Sequence, residues 1–409
     1  MVTAIMRHLG RRLGRVDGGR PVFLHLLSPD RKFFDPIRRV FEAAVPGRHR
    51  WVVVGPIADG FVLPTGVNHV MGPTDLRNVL RSSVDWEGVV LNGLSFPVAG
   101  SMMRGVPATL SVAWYVWGFE AYGYWRKLRA RLLLPQTARL FDREQDPGLS
   151  RNLVIGPALR RIRRTDRDAR SLVSRLDYCV TPLREEHELF VSAGLPAKTQ
   201  YHWGLVGCLD DYVGVDGATD CGDDVQLGNS ASVWNNHLDA LALLSGPGLG
   251  SRRVVVPLGY GEPWCGDAVA AYGREVLGEN FYPLMGFLPP DEYLTVVGSC
   301  GHVVMNHLRQ QALGNIFASL WRGARVYMND TSAYRGLRRM GFDVRLISEQ
   351  LAGPEGLRFD SPPPEEAARH RDLLREQYAP PIVIEQTRDL LELLSALSAK
   401  RRRKRRKVE

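Results

Sequence analysis

The stretch that decides the fold is His302–Asp330, HVVMNHLRQQALGNIFASLWRGARVYMND. Its apolar run His302–Met305 reads as a buried strand. The run breaks at Asn306-His307-Leu308-Arg309-Gln310-Gln311, after which Leu313, Ile316, Phe317 and Leu320 recur with a helical period. Gly323-Ala324 stops that helix, and Val326–Met328 reads as a second strand. Strand, polar turn, helix, strand is the unit from which parallel sheets are built. In such sheets ligands lie beyond the carboxyl ends of the strands, where helix N-termini point unpaired N–H groups outward. There this chain places His307, Arg309, Gln310, Gln311, Gly314 and Asn315, with no carboxylate among them. That composition suits an anion such as a diphosphate. The same residues also read as an ordinary capped helix with a polar first turn, and local pattern alone does not decide between the two.

The alternation extends in both directions. Pro21–Leu27, Trp51–Gly55, Val89–Leu91, Thr109–Val116 and Asp177–Thr181 read as strands, with helices at Asp35–Ala44 and Arg184–Ala193. Gly204–Cys221 is rich in Gly and Asp and without periodicity, as a linker would be. A second series follows: strands at Val225–Leu227 and Arg253–Leu258, and helices at Asn235–Leu244, through Val276, and at Glu292–Ser299. After Pro362-Pro363-Pro364 the chain reads as helical over Glu365–Gln377 and Ile384–Ala399. With 409 residues, more than one core is expected. The reading is an α/β chain of two Rossmann-like domains facing across a cleft. Residues 1–205 form the front domain, 206–222 a linker, 223–380 the rear domain, 381–399 a C-terminal helix and 400–409 a basic tail.

Composition bounds the partners. Eight of the net +9 charges lie in Lys400–Lys407, so the remaining residues are almost neutral and a nucleic-acid-binding body is not expected. Five cysteines without a CxxC pair suggest neither a zinc site nor a disulfide framework. No run approaches the ~20 apolar residues of a membrane-spanning helix. The tail reads either as a solvated, disordered segment or as an adhesive for an anionic leaflet, with a nucleic-acid arm as the rival. The basic stretch Trp125-Arg126-Lys127-Leu128-Arg129-Ala130-Arg131, beside the apolar Leu132-Leu133-Leu134, favours contact with a membrane surface.

Four turns stand at strand ends: Asn92-Gly93, Trp117-Gly118-Phe119-Glu120, Gly228-Asn229-Ser230 and His307–Gly314. Two belong to each domain, so both offer small or polar groups to a shared cleft. Gly228-Asn229-Ser230 also reads as a plain strand-to-helix turn. Trp114 and Trp117 read as stacking surfaces or as core. Glu120, the carboxylate at that edge, reads as a base for an attacking hydroxyl or as a cap of the next helix. His237, with Asn235, reads as packing or as a residue reaching the Gly228 pocket. The glycine-rich Gly246–Ser251 follows a helix instead of a strand, which excludes a nucleotide loop.

Together these pieces resemble a known family, the bacterial TDP-N-acetylfucosamine:lipid II N-acetylfucosaminyltransferases. Trp114-Tyr115-Val116-Trp117-Gly118-Phe119-Glu120-Ala121-Tyr122 is similar to the family's W-x-x-W-G-x-D-x-Y. Leu227-Gly228-Asn229-Ser230 with Asn235 and His237 resembles V-G-N-S…N-x-H, Val254–Tyr260 resembles V-V-V-P-M-G-Y, and Arg309-Gln310-Gln311 with Gly314 resembles R-Q-Q-x-x-G. The motifs keep the family's order over residues 85–345. The resemblance implies a GT-B fold and transfer of a 4-acetamido-4,6-dideoxygalactose-type sugar from a TDP-sugar to a polyprenyl-diphosphate-linked glycan. It implies peripheral attachment at the inner face of the cell membrane and no metal or other cofactor. With the strand-end turns read above, which alone supply Asn92, Gly93, His307 and Asn315, the expected donor-side residues are Gly228, Asn229, Ser230, His237, Tyr260, His307, Arg309, Gln310, Gln311, Gly314 and Asn315, the acceptor-side residues Asn92, Gly93, Trp114, Trp117 and Gly118, and the catalytic pair Glu120 and Arg309. Glu120 stands where the family has Asp. His307, Asn315, the arginine-rich stretch Arg139–Arg170 and the tail also depart from the family pattern. A GT-B enzyme using another nucleotide-sugar is the nearest alternative, and a non-catalytic protein holding nucleic acid through its tail is a more distant one.

Overall fold

The computed structural model describes residues 22–57, 62–81, 85–144, 166–213, 221–286, 288, 290–353 and 356–407. Residues 145–165, the middle of the arginine-rich stretch Arg139–Arg170, lie outside them. Two all-parallel sheets carry the chain. The front sheet contains β1 (Val22–Leu27), β2 (His49–Val54), β3 (Val67–Val70), β4 (Trp86–Asn92), β5 (Val112–Tyr115), β6 (Tyr178–Val180) and β7 (Gln200–His202), in spatial order β3-β2-β1-β4-β5-β6-β7. The rear sheet contains β8 (Asp224–Leu227), β9 (Val254–Pro257), β10 (Phe281–Leu284), β11 (Cys300–Met305), β12 (Arg325–Met328) and β13 (Val344–Leu346), in order β10-β9-β8-β11-β12-β13. Helices cover both faces, so the central strands are predominantly apolar, and β1 and β11 are buried at every position, His25 and His302 included.

In each sheet the connection reverses at a central strand, β1 in front and β8 behind, which leaves a crevice beyond the carboxyl ends. The expected linker is partly structured. Asp210–Val213 is a short helix, and Leu205, Cys208, Leu209 and Val213 are buried with the rear-domain residues Ile316 and Phe317.

The C-terminus corrects the expected boundary between helix and tail. One helix runs Pro380–Arg406 and returns from the rear domain to the front. Val383 packs with the rear core, whereas Leu390, Leu391 and Leu394 pack with Phe23, Leu27 and Phe41 of the front. The basic end is helical because the front sheet supplies acceptors for it. Arg401 bonds Asp177 at 2.9 and 2.5 Å and Leu110 O at 3.3 Å, and Arg402 bonds Trp86 O at 2.7 Å. These acceptors lie at the amino ends of the strands. β4, seven residues long, separates them from the cleft by roughly 20 Å.

Candidate active site

Between the domains lies a cleft of about 740 Å³. Its rear wall is built by the turn after β11. Ala312, the residue before the Leu313–Arg322 helix, has φ +57° and ψ +30°, and no side chain caps the helix. A left-handed alanine costs of order 1 kcal/mol, so surrounding packing must hold it. Leu313, Gly314 and Asn315, which carry the first N–H groups of the helix, line the cleft, and no described residue accepts those groups. Gly314 allows the Tyr212 ring to lie against the helix, since a Cβ there would come within 2.3 Å of Tyr212 Cδ1. Arg309, Gln310, Gln311, Gly314 and Asn315 all line the cleft, as do Asn229, Ser230 and Tyr260. Gln311 Nε2 donates to Asn229 Oδ1 at 3.4 Å and so links the two rear turns.

Arg309 is the cation of this wall. Its guanidinium lies 5.7 Å from the Tyr122 ring centroid, and no described carboxylate forms an ion pair with it. The guanidinium crosses toward the front domain. A Cβ on Gly118 would lie 3.3 Å from Arg309 Nη1 and 3.2 Å from Gln310 Oε1, so glycine is needed for the approach. Gly118 also has φ +99°, outside the range of ordinary side chains.

The front wall includes Gly93 and Trp117, with Ser28, Asp30 and Phe33 beside them. Three expected acceptor-side or catalytic residues are placed elsewhere. Trp114 is 1 % exposed and packs edge-on against Phe96 at 4.8 Å, because both faces of a covered parallel sheet are core. Asn92 is fully buried at the strand end, behind Gly93. Glu120 is also buried: its Oε1 accepts from Trp117 N at 3.2 Å and Trp114 Nε1 at 3.4 Å. Trp117 lines the cleft and Glu120 does not, so Glu120 holds the turn and is not presented to an acceptor hydroxyl. Burial pushes its carboxyl up to about 7, against the pull of those hydrogen bonds and of Arg309.

The two histidines are wall supports. His307 Nε2 lies 2.6 Å from Asn235 Oδ1, and burial followed by the Arg309 charge lowers its pKa to about 3. It is therefore neutral and adds no positive charge to the pocket. His237 is likewise buried and lowered to about 3, beneath Gly228. A Cβ on Gly228 would meet its Nε2 at 2.6 Å, so Gly228 makes room for the imidazole instead of lining the cleft.

An asparagine lattice, which no motif announced, fixes the wall. Asn236 Nδ2 donates to Asn306 O at 3.2 Å, Asn306 Nδ2 returns a bond to Asn236 O at 3.1 Å, and Asn329 Nδ2 reaches Asn306 Oδ1 at 2.9 Å. Asn236 also ties down the front-domain excursion, since Leu134 N donates to its Oδ1 at 2.8 Å. Glu186 is a second residue unmarked in sequence, because REEHELF reads as a surface helix. It is fully buried and accepts from the Ser332 hydroxyl of the other domain. Among the described residues no group of three or more His, Cys, Asp or Glu is placed to hold a metal ion.

The geometry can be compared with solved structures. A glycosyltransferase from Rickettsia africae aligns over 92 % of this chain and 98 % of its own, with a TM-score of 0.55 at 9 % identity. A mutant O-GlcNAc transferase of Thermobaculum terrenum aligns over 94 % and 70 %, with a TM-score of 0.52 at 13 % identity. Sucrose-phosphate synthase from Thermosynechococcus elongatus aligns over 95 % and 99 %, with a TM-score of 0.50 at 9 % identity. The fold is GT-B. At such identities the likeness establishes architecture alone. No protein-family model matches the chain, and a search of curated proteins finds no match. Among the described residues no helix is long and apolar enough to cross a membrane.

Proposed function

We propose that this protein is a glycosyltransferase that binds a nucleotide-diphosphate sugar in the rear half of the cleft and an acceptor in the front half. One observation carries the reading. The uncapped N-terminus of the Leu313–Arg322 helix and the Arg309 guanidinium converge on one wall, and neither is matched by an ion-paired carboxylate. An anionic leaving group is the chemistry that wall favours. As the sugar–phosphate bond breaks, charge accumulates on the diphosphate. Arg309 and the Leu313, Gly314 and Asn315 N–H groups then stabilise it more in the transition state than in the ground state. On this reading the chemistry needs no metal. Tyr260 and Asn229 face the same space and contact the donor.

The finer assignment follows the family resemblance. The donor is a TDP-linked amino-deoxy sugar, and the acceptor is a polyprenyl-diphosphate-linked glycan at the inner face of the cell membrane. Exposed Arg126, Lys127 and Arg129 lie on the turn that follows the Phe119–Tyr124 helix, whose first residue lines the cleft and is 43 % exposed, and they support contact with an anionic lipid surface. The C-terminal basic end lies at the opposite edge, so it is not the surface that presents a lipid-linked acceptor to the cleft. Thermal-shift measurement against TDP-, UDP- and GDP-sugars tests the reading. One nucleotide class should raise the melting temperature and then give a glycosylated lipid product by mass spectrometry. No shift with any of them refutes it. A shift with UDP- or GDP-sugars alone retains the enzyme and replaces the donor.

A further inference from the structure

Behind the cleft, unsatisfied polar atoms gather at one point of the domain interface. Glu120 Oε2, Tyr122 OH, Glu186 Oε1 and Arg309 Nε are all buried without a hydrogen-bond partner. Buried polar groups are nearly always paired, so several such atoms on neighbouring elements call for an explanation. Three elements meet here. The Phe119–Tyr124 helix brings Glu120 and Tyr122, the Arg184–Ala193 helix brings Glu186, and the turn after β11 brings Arg309. Ser332 of the rear domain fastens Glu186 through its hydroxyl, and Tyr122 places its ring 5.7 Å from the Arg309 guanidinium.

We infer that Glu120 and Glu186 are positioning residues for Arg309: without a direct ion pair, their charges draw the guanidinium toward the front domain and compete with the diphosphate for it. The inference rests on the reading of Arg309 as the diphosphate-binding cation. Gly118, two residues before Glu120, comes so close that a Cβ there would lie 3.3 Å from Arg309 Nη1, and the Tyr122 ring beside the guanidinium packs at 6.0 Å on Phe190, one helical turn after Glu186. Burial raises each carboxyl to about 7, against the Arg309 charge, which favours the ionised form of both. The other titratable neighbours do not change charge near neutrality. Burial holds the Tyr122 hydroxyl and the Cys179 thiol protonated, and burial keeps His307 neutral. Arg339 is taken by Glu185 in an ion pair. The cluster therefore carries +1 when both carboxyls are protonated and −1 when both are ionised, as counted from the Arg309, Glu120 and Glu186 charges. A nucleotide-sugar diphosphate keeps its charge over this range. Its affinity should fall as pH rises through 7, because ionised carboxylates retain the guanidinium that the diphosphate needs.

Two measurements on the full chain test this. The first needs no ligand: carboxyl titration by isotope-edited infrared spectroscopy, with Glu120→Gln and Glu186→Gln used to assign the bands. Wild type should titrate near neutrality, and Arg309→Met should move both midpoints upward, since a cation that favours the ionised form is gone. Unmoved midpoints overturn the inference. The second is calorimetry with the nucleotide-sugar that most stabilises the protein. Wild-type affinity should drop about tenfold between about pH 6 and about pH 8.5, and Glu186→Gln should flatten that profile. A profile unchanged by Glu186→Gln overturns the inference. If that variant does not fold, Glu120→Gln is read by the same criterion. Absence of binding at every pH would count against the proposed function, whereas the ligand-free titration would still decide the positioning role.

Discussion

Arg401 holds Asp177 with two guanidinium nitrogens, at 2.9 and 2.5 Å, and so fastens the last helix to the foot of the front sheet. The carboxylate also accepts Val112 N at 2.9 Å, so it joins the helix to the start of β5. Arg401→Ala should lower stability by about 1.5–3 kcal/mol, the range for hydrogen bonds to charged groups. Urea unfolding checks it. Truncation before Lys400 should destabilise the front domain to a similar degree, an effect that a merely solvated tail would not produce.

The excursion from the front domain onto the rear one depends on Asp239. Its carboxylate accepts from Gln136 N and Thr137 N at 2.9 Å and from Thr137 Oγ1 at 2.7 Å. It thus caps the Pro135–Glu144 helix from another domain. Asp239→Ala should cost about 1–2 kcal/mol, the range for a lost helix cap. Limited proteolysis should then cut within Pro135–Glu144 sooner than in wild type.

Two glycines of the rear wall should separate structure from binding. Gly228 has φ +66° and His237 behind it, so Gly228→Ala should destabilise the fold by about 1–3 kcal/mol. Gly314→Ala should displace the Tyr212 ring from the cleft wall instead. We expect donor KM to rise about tenfold with a smaller change in kcat, as when binding common to ground and transition states is lost. Steady-state kinetics distinguishes the two patterns.

Arg309 should behave differently from both. Arg309→Ala should reduce turnover by ~10²-fold or more, since the charge it meets appears as the bond breaks. Circular dichroism should show the fold intact. A near-wild-type kcat would remove Arg309 from the chemistry.

The parts of the fold that were legible share a physical cause. β1, β4, β5, β9 and β11 are covered on both faces and read as largely apolar runs. The strands that sequence reading missed, β3, β7, β10 and β13, are the four sheet edges. Each has only three or four residues and at least one not buried, as in Gln200-Tyr201-His202, so no apolar run marks it. The site divides in the same way. The Arg309–Asn315 turn was readable because donor-rich residues stood between a strand and a helix. His237, His307 and Trp114 carry chemistry-bearing groups, but sequence does not reveal which side of a wall they occupy. Glu186 gave no signal, since its burial comes from a second domain closing over a helix that looks solvent-facing.

The most direct measurement of the central claim is a crystal structure of the chain with a bound nucleoside diphosphate. The account places the phosphates within about 3 Å of the Leu313, Gly314 and Asn315 N–H groups and of the Arg309 guanidinium. A nucleotide bound elsewhere, with Arg309 still turned toward Tyr122 and away from any phosphate, would contradict it.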